Sequence, residues 1–249
     1  MQIYDDYAEI YDAIGQGAFA EGLARSILAQ AVATPPRLLD LACGTGAASL
    51  AFAAAGSAVV GLDRAPQMLL IARAKARDRN LAATFIEADL RALGEITAAE
   101  LAPASFDLIT CLYDSLNYLL DDDDLTKVFT AAAALLRPSG QLIFDLNTPV
   151  EYLSWETDYQ VVYDDDSYLV YNQLSYDQRS KRASGRIVWF IREIDRWWRG
   201  EELHIERAWG DDEVRAALAA AGLRLLSART PTDAEADQHS HRVVYTALK

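Results

Sequence analysis

Apolar and polar positions along this chain fall into two regimes. Up to about residue 150, short apolar runs alternate with longer Ala-rich stretches. The runs at 37–42, 58–63, 83–88, 106–112 and 141–146 are apolar nearly throughout, which is the pattern of strands buried on both faces. Between them, 44–55, 66–78 and 123–136 predict helices. Gly56 ends the first as a C-cap glycine does. Pro66 opens the second, where its missing N–H has no intrahelical acceptor to leave empty. Arg137-Pro138-Ser139-Gly140 stops the third. Strand–helix alternation of this kind predicts a doubly wound α/β fold, a mostly parallel sheet covered by helices on both faces.

The second regime covers 151–207. Aromatic, β-rich runs at 159–163, 168–171, 186–191 and 202–206 are separated by turn clusters at 164–167 and 199–200, as in antiparallel hairpins. A helix over 211–221 with Gly222 as its cap, and strands at 223–228 and 242–248, then return to the first pattern. The expected organisation is one α/β domain, 1–150 and 208–249, carrying a small antiparallel β insertion at 151–207.

Composition narrows the class. Of 249 residues, 51% are hydrophobic and 24% charged, the proportions of a folded protein with a sizeable core. Lys plus Arg number 23 against 37 Asp plus Glu, a net charge of −14. Such a surface repels phosphate backbones and anionic headgroups, so a small-molecule substrate is expected rather than nucleic acid or membrane. Cys43 and Cys111 are too few for a disulfide scaffold or a cysteine zinc site and fit a reducing cytoplasm. The N-terminus places acids where a secretory leader has basic residues. No window approaches the roughly 18 apolar residues of a membrane helix. A cytoplasmic monomer or homodimer is therefore expected. The acids at 121–124 suit a helix N-terminus and those at 164–166 a solvated turn, so no metal site is expected.

Chemistry in an open parallel sheet belongs at the carboxyl ends of its strands. After the first run comes Asp40-Leu-Ala42-Cys-Gly44-Thr-Gly46. There the glycines let backbone N–H groups approach a ligand, and the following helix N-terminus favours negative charge. The second run ends in Asp63, about 20 residues past Gly44, placed to accept from both hydroxyls of a ribose or to cap the next helix. The third ends in Glu87-Ala88-Asp89-Leu90, where an acid can accept from an exocyclic amine while the next backbone N–H meets a ring nitrogen. A dinucleotide fingerprint also spaces glycines and an acid this way. It would need alanine at its first and last glycines, Ala42 and Ala47, and Asp40 would repel a pyrophosphate. The ammonium of an amino-acid tail would be attracted to Asp40, which favours S-adenosylmethionine.

The four segments 38–46, 59–63, 87–89 and 106–112, in this order and spacing, resemble the successive motifs of class I S-adenosylmethionine-dependent methyltransferases. The resemblance covers nearly the whole chain. It implies a seven-stranded sheet with its last strand antiparallel and S-adenosylmethionine as cofactor. It places Tyr11, Asp40, Ala42, Gly44, Gly46, Asp63, Met68, Ala88, Asp89, Leu90 and Leu112 around that cofactor. Ala42 stands where the family most often has glycine. Within the family, the chain is most similar to small-molecule enzymes with an N-terminal tyrosine segment, here Tyr7-Ala-Glu-Ile-Tyr11-Asp12, and a β insertion after strand five. Tyr4, Tyr7 and Tyr11 fall on one helical face, and Tyr11 would close over the cofactor carboxylate.

By the same resemblance the loop from Tyr113 to Tyr118 lies beside the transferable methyl, with Tyr113, Asp114 and Asn117 as candidate catalytic residues. Asp114 and Asn117 also suit turn and cap chemistry. Trp189, Trp197, Trp198 and Trp209 are expected to roof the site or to fill the core. His204 and Glu206 share one strand face, where surface pairing is the leading account and a substrate-side role the other. The expected activity is in-line methyl transfer to a small molecule under the insertion. The alternatives are a tRNA or protein methyltransferase of the same fold, a binding module without catalysis, and an NAD enzyme.

Overall fold

The computed structural model describes residues 3–4, 6–155 and 159–249; positions 1, 2 and 5, and 156–158 inside the expected insertion, lie outside the described residues. The chain opens with α1 (Ala8–Tyr11) and α2 (Gly17–Gln30). There follow β1 (Arg37–Leu41), α3 (Ala47–Ala54), β2 (Ala58–Asp63), α4 (Pro66–Asp78), β3 (Ala83–Glu87) and β4 (Phe106–Cys111). Next come α5 (Asp124–Leu135), β5 (Leu136–Asn147) and α6 (Pro149–Leu153). Strands β6 (Tyr159–Asp164), β7 (Tyr168–Asp177), β8 (Arg182–Glu193) and β9 (Arg196–Arg207) make a sheet of their own. The chain closes with α7 (Asp211–Ala220), β10 (Arg224–Arg229) and β11 (Arg242–Leu248).

The large sheet has seven strands in the order β10-β11-β5-β4-β1-β2-β3. β1 to β5 pair in parallel, and β11 runs antiparallel to both its neighbours. The chain winds outward from β1 to β3, then crosses to β4 on the other side of β1. This reversal between β1 and β4 is where an open α/β sheet opens a crevice at its carboxyl edge.

Apolar strands explain the layering. Leu39, Leu41, Ile109 and Phe144 face one way and pack with Val128 and Phe129 of α5 and Val214 and Leu218 of α7. Leu38, Val59, Leu108 and Ile143 face the other way, against Leu23 and Ala24 of α2 and Phe52 of α3. Helix α2 went unpredicted, because its apolar positions lie among Gly, Ala and Ser without an N-terminal cap signal. The stop at 137–140 is a bulge inside β5: Phe106 pairs with Leu136 and Leu108 with Gln141, and Ser139 takes up the extra length at φ 65°. The tyrosine face is not one helix either. Tyr4 has φ 71° and precedes α1, although its ring still lies 6.1 Å from that of Tyr11.

The four-stranded sheet β6-β7-β8-β9 is antiparallel throughout. Its inner face holds the N-terminal segment: Val170 and Trp189 are buried against Tyr7, Ile10 and Ile14. Asn117 stitches the two sheets together. It is fully buried; its amide nitrogen donates to the carbonyls of Asn147 (3.1 Å) and Arg207 (2.8 Å), and its oxygen accepts from the Asn147 N–H at 3.0 Å.

Close packing behind the β1 turn yields a stability prediction. A Cβ on Gly61 would stand 2.6 Å from Cδ1 of Phe85 and 2.9 Å from Sγ of Cys43, inside contact distance of both. Gly61→Ala should destabilise the fold by about 1–3 kcal/mol, each kcal/mol lowering Tm by roughly 2–4 °C in a chain of this size. A thermal melt checks this; an unshifted midpoint would mean the Phe85 ring swings clear at no cost.

Candidate functional site

At the carboxyl ends of β1 and β4 lies a cavity of about 360 Å³, within the range of small-molecule sites. Its floor is the turn after β1. Ala42, Gly44 and Gly46 have φ values of 52°, 52° and 78°, so the chain folds back tightly before α3. A Cβ built on Gly44 meets no atom within 4 Å, so the backbone there is bare toward the opening.

Asp63 anchors this turn. One carboxylate oxygen accepts from the Gly44 N–H and the other from the Ala65 N–H, each at 2.8 Å. It therefore shapes the entry to α4 and also lines the cavity. Two bonds leave a carboxylate further acceptor capacity, so the turn-forming and ligand-accepting roles are compatible. Burial raises its carboxyl above the ordinary range, against the pull of these N–H groups. Asp89 also lines the cavity and is held by Arg91, whose Nε lies 3.0 Å from Oδ1. That pairing keeps the Asp89 carboxyl below its ordinary range.

Tyr11, Ala42, Gly44, Asp63, Met68, Ala88, Asp89, Leu90, Leu112, Tyr113 and Asp114 all line this one cavity. Three expected residues do not. The Asp40 carboxylate turns away into the protein, accepting from Ser49 Oγ at 2.5 Å and Thr110 Oγ1 at 2.8 Å. Burial pushes it up to about 6 in spite of those bonds. Gly46 is packed beneath the turn, where a Cβ would meet Ala72 at 3.1 Å and the Phe85 ring at 3.3 Å. The Asn117 side chain is spent on backbone groups of β5 and β9, as described above, which is neither the turn or cap chemistry expected of it nor a place in the cavity.

The loop after β4 is held from behind by Asp145 on β5. Its oxygens accept from the N–H groups of Tyr113 (2.6 Å) and Asp114 (3.1 Å), two successive residues with φ of 67° and 49°. Arg242 on β11 reaches across, its Nη1 lying 2.6 Å from Asp145 and 2.9 Å from Asp114. Its guanidinium is 4.7 Å from the Phe19 ring centroid and 5.4 Å from that of Tyr113.

The roof comes from the smaller sheet, but not from its expected tryptophans. Trp189 packs on Tyr7, Trp209 lies under Arg207, and Trp197 and Trp198 are exposed. Asn172, Leu174, Ile187, His204 and Glu206 line the cavity instead, with Trp155 beside them. Surface pairing of His204 and Glu206 is thus corrected, since they are 2% and 5% exposed and point inward. Tyr118 bonds His204 Nδ1 at 2.8 Å and the Tyr4 hydroxyl at 2.9 Å. Tyr152 donates to Glu206 at 2.6 Å. Sequence reasoning assigned no site role to Tyr118, Glu202, Asp145 or Arg242. The one available signal was the alternation Glu202-Leu-His204-Ile-Glu206, which puts three titratable groups on one face of a strand. No group of three or more His, Cys, Asp or Glu placed to hold a metal ion occurs among the described residues. No helix among them is long and apolar enough to cross a membrane.

An open α/β sheet with a bare glycine turn and a cavity-lining acid at the end of its second strand defines the class. Known proteins narrow it. Residues 38–140 match the model of a methyltransferase domain. The chain is 29% identical to the putative methyltransferase YqeM of Bacillus subtilis, across 99% of this chain and 97% of that one. It superposes with a TM-score of 0.83 on an S-adenosylmethionine-dependent methyltransferase from Clostridium acetobutylicum, 25% identical and covering 99% of each chain. Against S-adenosylmethionine-bound CalS10, an amino pentose methyltransferase from Micromonospora echinaspora, the TM-score is 0.72 at 22% identity over 96% of each chain. The matched domain and these likenesses are all to methyltransferases, and the chain has the fold of S-adenosylmethionine-dependent ones.

The roof carries a pH signature. Burial, with the charge of Asp114 adding to it, pushes the Glu206 carboxyl up to about 8, whereas an unfolded chain ionises glutamate near pH 4.3. Between those values the folded state keeps a proton that the unfolded state has lost, so stability falls as pH rises, by at most ~1.4 kcal/mol per pH unit. Glu206→Gln removes this dependence. Urea unfolding at pH 5.5, 6.5 and 7.5 should show the variant gaining on the wild type at each step; a constant difference would contradict the raised value.

Proposed function

We propose that the protein transfers the methyl group of S-adenosylmethionine to a small-molecule acceptor held between the loop at 113–118 and the inner face of β7–β9. The observation that carries this reading is the continuity of the cavity. The bare backbone at Gly44 and the polar roof at Asn172, His204 and Glu206 line the same space. Its size suits a cofactor and a compact acceptor, and the net charge of −14 disfavours a phosphate-rich one. CalS10 acts on an amino pentose, which supports an acceptor of that size.

The residues fit the cofactor. Asp63 keeps acceptor capacity for ribose hydroxyls, and the Gly44 backbone can approach the amino-acid tail. Tyr11 would close that end, while Met68, Ala88, Asp89, Leu90 and Leu112, which line the same cavity, would hold the rest of the cofactor. When bound, the cofactor supplies an electrophilic methyl on a positively charged sulfur. The protein's task is then to align the acceptor opposite that carbon and to exclude water, since in-line displacement depends on approach and geometry. Tyr113 and Asp114, fixed by Asp145 and Arg242, face the acceptor.

Two measurements test this. Asp63→Ala should weaken S-adenosylmethionine binding by roughly 1.5–3 kcal/mol, the scale of charge-assisted hydrogen bonds left unmade. Calorimetry reads it, and an unchanged Kd would leave Asp63 as a turn-former only. With methyl-labelled cofactor and a cell extract divided by size, label should enter the low-mass fraction; label confined to tRNA or protein would overturn the small-molecule reading.

A further inference from the structure

Behind the roof runs a chain of hydrogen bonds that positioning alone does not require. Tyr118, at the end of the β4 loop, bonds His204 Nδ1 at 2.8 Å. On the opposite side of the ring, His204 Nε2 lies 3.2 Å from Glu202 Oε2, which also accepts from the Tyr4 N–H at 2.8 Å. Tyr118 and His204 line the cavity. Glu202 is buried, and its Oε1 has no hydrogen-bond partner. A carboxylate, an imidazole and a phenol thus stand in line from the interior of the small sheet to the space where the acceptor would sit.

The imidazole's tautomer follows from its partners. A carboxylate oxygen only accepts, so Nε2 carries the hydrogen and donates to Glu202. In the neutral ring Nδ1 is then a bare acceptor, and the Tyr118 hydroxyl donates to it. We propose that Tyr118, with His204 and Glu202 behind it, is the proton exit of the transfer site and takes the proton of a protic acceptor, a hydroxyl or an amine. The proposal rests on the methyl-transfer reading above.

The balance is complete without another reactant. The acceptor's lone pair forms the new bond to the methyl carbon, and the pair of the breaking carbon–sulfur bond stays on sulfur. The acceptor's proton passes to Tyr118 Oη while the Tyr118 proton passes to His204 Nδ1. The imidazolium so formed lies against Glu202, whose unpartnered oxygen leaves that carboxylate's charge uncompensated until then.

Surrounding groups favour passage over storage. Burial and the neighbouring Tyr4, Glu206 and Asp114 hold the Tyr118 phenol well above its ordinary range, so a phenolate does not accumulate. Glu206 holds its own proton and the bond from Tyr152. Tyr4 meets both rings, its centroid 5.0 Å from that of His204 and 6.2 Å from that of Tyr118.

The geometry can be read without an acceptor. The chain has three histidines, so ¹⁵N-histidine labelling with His239→Gln and His241→Gln leaves His204 alone. Nitrogen NMR at pH 7 should show the neutral Nε2–H tautomer; the Nδ1–H tautomer overturns the relay, because Nδ1 could not then accept. The chemistry uses the labelled low-mass acceptor assay. Tyr118→Phe and His204→Gln should each slow transfer at least 30-fold at pH 7 with cofactor Kd within twofold, and the shape of the rate–pH profile should change in His204→Gln. Should His204→Gln fail to fold, Tyr118→Phe, which removes one oxygen, carries the test. Acceptor labelling undiminished in Tyr118→Phe overturns the relay alone. A wild-type protein that labels no low-mass acceptor overturns the reading beneath it.

Discussion

The geometry of this site depends on one buried carboxylate, Asp145. Completely enclosed on β5, it takes the N–H groups of two consecutive residues, Tyr113 and Asp114, and so holds the chain leaving β4 in a left-handed turn that neither residue adopts readily. A lone carboxylate at that depth is costly to ionise, and burial does raise its carboxyl above the ordinary range. Arg242 offsets the cost by bonding both Asp145 and Asp114 from the antiparallel strand β11. The final strand therefore has a function beyond completing the sheet: its first residue is the counter-charge on which the loop after β4 rests. Phe19 ties α2 to the same guanidinium.

Three of the protein's 37 acids are built into this edge of the sheet. Asp40 is satisfied by two hydroxyls, Asp63 by two backbone N–H groups, and Asp145 by two more with an arginine. Backbone and hydroxyl dipoles stabilise these charges where lysines would fill the crevice. Of the three, only Asp63 lines the cavity; Asp40 and Asp145 support it from behind.

The main sheet was legible because strands buried on both faces leave unbroken apolar runs, and glycine and proline mark where helices begin and end. Helix α4 begins at Pro66 and β11 spans 242–248, as their patterns predict. Helix α2 was not legible, since its buried stripe of Leu23 and Ala24 is thin. At the site, residues acting through backbone or fixed position, such as Gly44 and Asp63, could be placed from spacing. Asp40 and Asn117 could not be excluded from spacing, because a side chain that turns inward to a partner such as Thr110, some seventy positions away, leaves no local trace. Arg242 and Asp145 met only when β11 was laid beside β5.

The smaller sheet was legible as β structure but not as a chemical wall. Aromatic residues drew attention to its tryptophans, yet Trp197 and Trp198 lie near the β8–β9 turn and are exposed. The wall is made instead by the period of two along β9, which turns Glu202, His204 and Glu206 inward together. Three titratable groups on one buried face are unfavourable unless each finds a partner, and those partners come from other elements: Tyr4 from the N-terminal segment, Tyr118 from the β4 loop and Tyr152 from α6. The sheet and the α/β domain are thus joined by hydrogen bonds among residues that line the cavity. The Gly44–Asp63 turn lies wholly on strand ends of the larger sheet, so changes along β7–β9 alter the opposite wall of the cavity while leaving that turn in place.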